Sequence, residues 1–152
     1  MGPAPDIREL ARQGITVVVA TRDEHLRPSV ARAWGPLLSQ DGAQLTLCVE
    51  APDNSATEAN LVAGSPLAAT LTRPSTYTSV QLKGALSQVR PPLAAELERV
   101  AAHVDSFAIE TAPLGLDPEL ARRLAGDRLV TIVVEIAERY DQTPGSGAGA
   151  RL

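Results

Sequence analysis

The chain has 152 residues, of which 44% are hydrophobic but only 3% aromatic, with a formal net charge of −4 and an isoelectric point near 5.2. This length predicts one domain, residues 1–152, with an aliphatic core; the scarcity of aromatic rings argues against single-stranded nucleic-acid binding, and the acidic balance leaves no basic footprint for any nucleic acid. Cys48 is the only cysteine, which excludes an internal disulfide and a multi-cysteine metal site and suits a reducing, cytoplasmic compartment.

Residues 1–5 read as a loose end without a signal-peptide pattern. Asp6 is placed to cap a short helix over residues 6–13, stopped by Gly14. Ile15-Thr16-Val17-Val18-Val19-Ala20 is rich in β-branched residues and predicts a strand; as the longest apolar run it is far too short to cross a bilayer. Polar residues 21–27 form a hairpin connection, residues 29–34 return, and Gly35-Pro36 is expected to break that strand. Asp41-Gly42 is the strongest hairpin-turn signal. Beyond it, Leu45, Leu47 and Val49 alternate with Thr46, Cys48 and Glu50, so an antiparallel meander is expected over the first 50 residues. Asp53 or Ser55 can cap a helix to about residue 63. Strands follow at 67–72 and 78–90.

From Leu93 the period changes. Leu93, Leu97, Val100, Val104 and Phe107 recur at helical spacing and predict a helix with that stripe buried. Glu96, Arg99 and His103 then fall on its solvated face. Asp117-Pro118 opens a second helix, closing near Gly126. Residues 129–136 predict a final strand with Val130, Ile132, Val134 and Ile136 on one face. The Gly-rich tail, residues 142–152, is expected to be flexible. The domain thus divides into a core of about 8–90 plus a strand of about 128–137, with a helical insertion of about 93–125.

No nucleophile, base and orienting group form a set. His25 reads as a solvated turn residue and His103 as a solvated helix residue; together they have no metal-ligand spacing, and no metal is expected, leaving at most a single haem ligand. Cys48 reads as a buried, inert thiol. The informative stretch is Arg73-Pro74-Ser75-Thr76-Tyr77-Thr78-Ser79-Val80-Gln81-Leu82-Lys83-Gly84. Val80, Leu82 and Leu86 share one face of a strand and Ser79, Gln81 and Lys83 the other. Either that polar row is solvated, or Gln81 and Lys83 face a ligand. At Gly84 the backbone is open to close approach. Arg32 shares a face with Val30 and Trp34, as a snorkelling residue or an anion binder.

In order and spacing, several motifs resemble the pyridoxamine 5′-phosphate oxidase-like family. They are Val18-Val19-Ala20-Thr21, Arg27-Pro28-Ser29-Val30-Ala31-Arg32, Asp41-Gly42, Leu45-Thr46-Leu47, Ala59-Asn60-Leu61, Ser65-Pro66-Leu67-Ala68-Ala69 and Gln81-Leu82-Lys83-Gly84. The resemblance covers roughly residues 8–90. It implies a mainly β fold with flanking helices, an antiparallel split β-barrel, and a homodimer holding flavin mononucleotide (FMN) at its interface. Arg32 matches a position that often contacts the flavin or its phosphate, and Gln81 a glutamine that contacts the isoalloxazine ring. The implied cofactor contacts are Arg32, Ala33, Trp34, Tyr77, Gln81 and Lys83. One departure stands out: flavin-binding members commonly carry an Arg-Lys pair for the phosphate where this chain has Ala56-Thr57. Two functions are therefore expected: a small FMN-dependent oxidoreductase, or a binding protein on the same barrel for haem, a deazaflavin or an apolar small molecule.

Overall fold

The computed structural model describes residues 3–152; Met1 and Gly2, part of the expected loose end, lie outside the described residues. Six antiparallel strands close into a barrel in the order β1-β2-β3-β6-β5-β4. They are β1 (Thr16–Arg22), β2 (Pro28–Leu38), β3 (Gln44–Glu50), β4 (Pro66–Thr72), β5 (Ser79–Arg90) and β6 (Leu129–Asp141). Helix α1 (Ile7–Leu10) precedes the barrel, α2 (Ala56–Asn60) joins β3 to β4, and α3 (Ala94–Thr111) with α4 (Pro118–Arg122) lies between β5 and β6. The mainly β split-barrel expectation holds.

Strand alternation builds the interior. Val17, Val19, Leu45, Leu47, Leu71, Val80, Leu82, Ile132 and Val134 all point inward and are almost wholly buried. A second, smaller core lies outside the barrel wall, where Trp34 and Cys48 meet Val100, Val104, Phe107 and Ala108 of α3. The caps fall where the sequence put them: Asp6 accepts from the Arg8 and Glu9 amides, Ser55 from Glu58, and Asp117 from Glu119 and Leu120.

Several expectations need correction. Gly35-Pro36 does not end the return strand. β2 runs on to Leu38 through a bulge between Trp34 and Leu37, with Gly35 at φ 61°. Glycine takes that conformation without a Cβ penalty. The close approach expected at Gly84 is real, and the approaching group is the barrel itself. β5 bulges against β6 there, and a Cβ on Gly84 would stand 1.8 Å from the Glu135 carbonyl oxygen. β6 continues five residues past Ile136, because Arg139, Tyr140 and Asp141 pair with Leu82, Gln81 and Val80. The tail beyond it turns back, with Asp141 N donating to Ala150 O and Leu152 N to Arg139 O.

Helix α3 is rotated from its expected orientation. Val100, Val104 and Phe107 are buried, but so are Glu96 and His103, whereas Leu93 and Leu97 are exposed. The cause lies in the surface beneath, which offers polar groups for this helix to satisfy.

Candidate functional site

The barrel exterior divides into a half covered by α3 and a half left bare. The covered half begins at the β2 bulge, which leaves both polar groups of Gly35 without ladder partners. Helix α3 supplies them: Gly35 N–H donates to His103 Nδ1 at 3.0 Å, and Arg99 Nε donates to the Gly35 carbonyl at 2.8 Å. Since Nδ1 accepts, the proton of the neutral ring is on Nε2, which faces the Ile15 carbonyl at 3.0 Å. Trp34 packs edge-on against both His103 and Phe107. Burial of the imidazole lowers its pKa from 6.5 to about 4.

Two turns nearer the helix start than His103, Glu96 accepts from Arg90 Nη2 and Nη1, at 2.7 and 2.9 Å, from Leu93 N–H and from Thr131 Oγ1. The Arg90 bonds are the largest cause of a Glu96 pKa lowered to about 2. Cys48 is fully buried beside Thr131, and burial raises its pKa. His103, Glu96 and Cys48 are therefore committed to holding the helix on the barrel and are not poised for chemistry. Among the described residues, no group of three or more His, Cys, Asp or Glu side chains is arranged to hold a metal, and no helix is long and apolar enough to cross a membrane.

The bare half carries the predicted ligand face. Cross-strand pairing lines up Arg32 (β2), Val18 (β1), Thr70 (β4), Gln81 (β5) and Tyr140 (β6) in one row across five strands. The adjacent row is Val30, Ala20, Ala68, Lys83 and Glu138. Gln81 Nε2 donates to Thr70 Oγ1 at 3.2 Å, and Lys83 Nζ sits 5.0 Å from the centre of the Tyr140 ring. The Tyr140 hydroxyl donates to the Glu138 carboxylate, which raises the phenol's pKa. Among the described residues neither Arg32 nor Lys83 has a carboxylate partner. The one hydrogen bond that the Arg32 side chain makes among the described residues is a long one, 3.4 Å from Nη1 to the Leu124 carbonyl.

The implied contacts do not all meet there. Gln81 and Lys83 are near neighbours, and Arg32 lies three strand intervals from Gln81, about 14 Å. Ala33 points into the barrel and is 1% exposed. Trp34 is buried under α3, its Nε1 donating to Glu50 Oε1 at 2.7 Å, so it offers no free stacking face on the bare side. Tyr77 is exposed at the tip of the turn before β5, at φ 59°. Thr70 and Tyr140 join the row although no sequence signal singled them out; Tyr140 lay beyond the predicted end of β6, and Thr70 needed the β4–β5 register.

At α2, where the resemblance expects an Arg-Lys pair, Thr57 is 4% exposed and its hydroxyl is 2.7 Å from that of Ser29. Arg128, the cation nearby, is held by Asp53 and Glu58, each at 2.6 Å. A phosphate placed there would find no uncommitted cation. Arg32 and Gln81 by contrast suit an anionic ligand carrying a hydrogen-bonding ring, so the residues present fit a flavin in the row and not at α2.

Between the two halves, beside Arg32, a cleft of ≈ 130 Å³ opens between β1, β2 and the helical insertion. Its walls include Val18, Trp34, Phe107 and Leu124, with Thr16 and Arg32 as polar members.

No family model and no curated protein matches the chain by sequence. Solved structures do match it by shape. An F420 reductase aligns with a TM-score of 0.58 at 17% identity, covering 89% of this chain and 97% of that one. HupZ of Group A Streptococcus aligns with a TM-score of 0.56 at 12% identity, over 95% of each chain. The chain has the pyridoxamine 5′-phosphate oxidase-like split-barrel fold. A candidate pyridoxamine 5′-phosphate oxidase of Lactobacillus delbrueckii illustrates it, with a TM-score of 0.50 at 17% identity over 92% of this chain and 97% of that one. At these identities the likeness establishes the split barrel; activity has to be argued from the site.

Proposed function

We propose that this split barrel binds a flavin-type cofactor on its bare outer half and works as a small oxidoreductase, with FMN as the first candidate. The observation that carries the reading is the row Arg32, Val18, Thr70, Gln81 and Tyr140, flanked by Lys83. It combines two cations without carboxylate partners among the described residues, an amide and a phenol across small, flat side chains. A bound flavin would supply the redox chemistry. The chain's part is narrower: Arg32 neutralises an anionic group, Gln81 offers its amide to a ring edge, and Val18, Ala20 and Ala68 exclude water beneath. Ala33, Trp34 and Tyr77 contribute only as backbone or rim.

The row lies on a convex surface, and a ring ligand gains most where water is excluded from both its faces. A second copy of the chain would supply the missing wall, so a homodimer belongs to this proposal. Unpaired strand edges give it no support, because every strand of the closed barrel has two neighbours. Support comes from Val18 and Val30, 39% and 66% exposed on the bare face. A reducing cytoplasmic location fits the free Cys48 thiol.

A second reading, a binding protein holding a deazaflavin or another ligand, is favoured by the α2 site. There Thr57 is buried and Arg128 is neutralised. One neighbour in shape is an F420 reductase, which makes a deazaflavin the first alternative. Haem is harder to place, since both ring nitrogens of His103 are bonded and His25 is in the β1–β2 turn.

FMN and F420 titrated separately into the protein, with binding read by ligand fluorescence, decide between the readings. Tight FMN binding is expected, weakened roughly 10- to 150-fold by Arg32→Ala, the equivalent of about 1.5–3 kcal/mol for a charge-assisted contact. Gln81→Ala should cost about 1 kcal/mol. Binding of F420 but not FMN selects the deazaflavin reading, and equal FMN affinity in all three proteins removes the flavin from this row.

A further inference from the structure

We propose that the cleft beside Arg32 is a separate binding site for a small apolar carboxylate, about one ring in size. It lies at the end of the cofactor row, towards the helical insertion. Three observations carry this. The first is composition: the walls are Val18, Trp34, Phe107 and Leu124, and no acidic side chain lines the cleft. The second is charge. The Arg32 guanidinium at the mouth is exposed, has no carboxylate partner among the described residues, and makes one long bond to the Leu124 carbonyl across the opening. A planar guanidinium beside an apolar cavity is suited to a carboxylate, which it can grip through two parallel hydrogen bonds. The third is size: the cleft measures ≈ 130 Å³, and an apolar cavity of about 150 Å³ holds one benzene ring.

The cleft is made by tertiary structure. β1 and β2 form its floor, and Phe107 of α3 and Leu124 after α4 form its far wall. The guanidinium has five N–H donors, so it can face the cofactor row on one side and the cleft on the other. The inference shares Arg32 and Val18 with the flavin reading but does not require it.

Trp34 is the only tryptophan and lines the cleft, so its emission reports occupancy directly. Benzoate and benzyl alcohol, its uncharged counterpart, are titrated into the wild type, Arg32→Ala and Leu124→Phe, with and without FMN. A saturable change in Trp34 emission with benzoate is expected, at least roughly tenfold weaker with benzyl alcohol and in Arg32→Ala. Leu124→Phe, which fills the cleft away from the row, should abolish benzoate binding and leave FMN binding intact. Because that variant could disturb the local fold, Leu124→Ala is the companion: it enlarges the cleft and should admit 2-naphthoate. No response to benzoate in the wild type, equal affinity for benzoate and benzyl alcohol, or full displacement of benzoate by FMN would each overturn the proposal. Absence of FMN binding would overturn the flavin reading alone and leave the benzoate result standing.

Discussion

Acid should loosen helix α3 from the barrel, and His103 sets where. The imidazole is 7% exposed and neutral, with Nδ1 accepting from Gly35 N–H and Nε2 facing the Ile15 carbonyl. Protonation places a hydrogen on Nδ1 against a donor and a charge in an apolar layer. With a pKa of 6.5 when unfolded and about 4 when folded, this group's contribution is fully present above pH 6.5, declines as pH falls below that, and is lost once pH has fallen through 4. The same two values give a loss of roughly 2 kcal/mol at pH 5 relative to pH 8, and roughly 3 kcal/mol at the acid limit. Glu96, lowered from 4.5 to about 2, loses its contribution only below 4.5, so the interval from pH 6.5 to 5 isolates the histidine. Urea unfolding followed by Trp34 emission should show a midpoint about 1 M lower at pH 5 than at pH 8, for a slope near 2 kcal/mol/M. In His103→Gln, whose amide can donate and accept in the same two directions, most of this shift should disappear. A wild-type midpoint that does not move between pH 8 and pH 5 would refute the account of His103 as a buried neutral clamp.

Glu96→Ala leaves Arg90, Thr131 and Leu93 N–H without their acceptor and should destabilise by about 3 kcal/mol in urea unfolding at pH 7, the low end for a broken buried pair because Arg90 is partly exposed. Gly84→Ala drives a Cβ into the Glu135 carbonyl and should cost about 1–3 kcal/mol or more, measured the same way. Val30→Glu places a charge on the bare face without touching the core; sedimentation should show a dimeric wild type and a monomeric variant of unchanged thermal stability.

The barrel was legible because its strands announce themselves one at a time. Val17 and Val19, Leu45 and Leu47, and Val80 and Leu82 each alternate with polar or small neighbours, and Asp41-Gly42 fixes a hairpin between two of the strands. Caps were legible for the same reason: Ser55 and Asp117 act on amides two or three residues away. What needed the tertiary structure was any feature depending on two distant segments. Glu96 and His103 look like solvent residues on a helical wheel, and only the Gly35 bulge and Arg90 make them interior ones. β6 was predicted to stop at Ile136, since the residues beyond it lack an apolar rhythm; they pair because β5 reaches that far. The candidate site divided similarly. Arg32, Gln81 and Lys83 were visible by residue type and alternation, whereas Thr70 and Tyr140 join them through register alone.

The place of β6 in the barrel has a consequence for synthesis. It is the last strand in sequence but is inserted between β3 and β5. A nascent chain that has emerged only as far as the insertion therefore holds five strands in an open sheet, with the outer edges of β3 and β5 unpaired and the apolar side chains of Leu45, Leu47, Leu82 and Leu86 uncovered. Helix α3 cannot shield them, because it packs on the outside of the wall. Closure waits for residues around 129–141 to leave the ribosome and join partners about 40–90 positions earlier in the chain. Translation pauses or truncations within the helical insertion should yield a sticky, chaperone-dependent species, while a chain released with residues 129–141 complete should close its barrel.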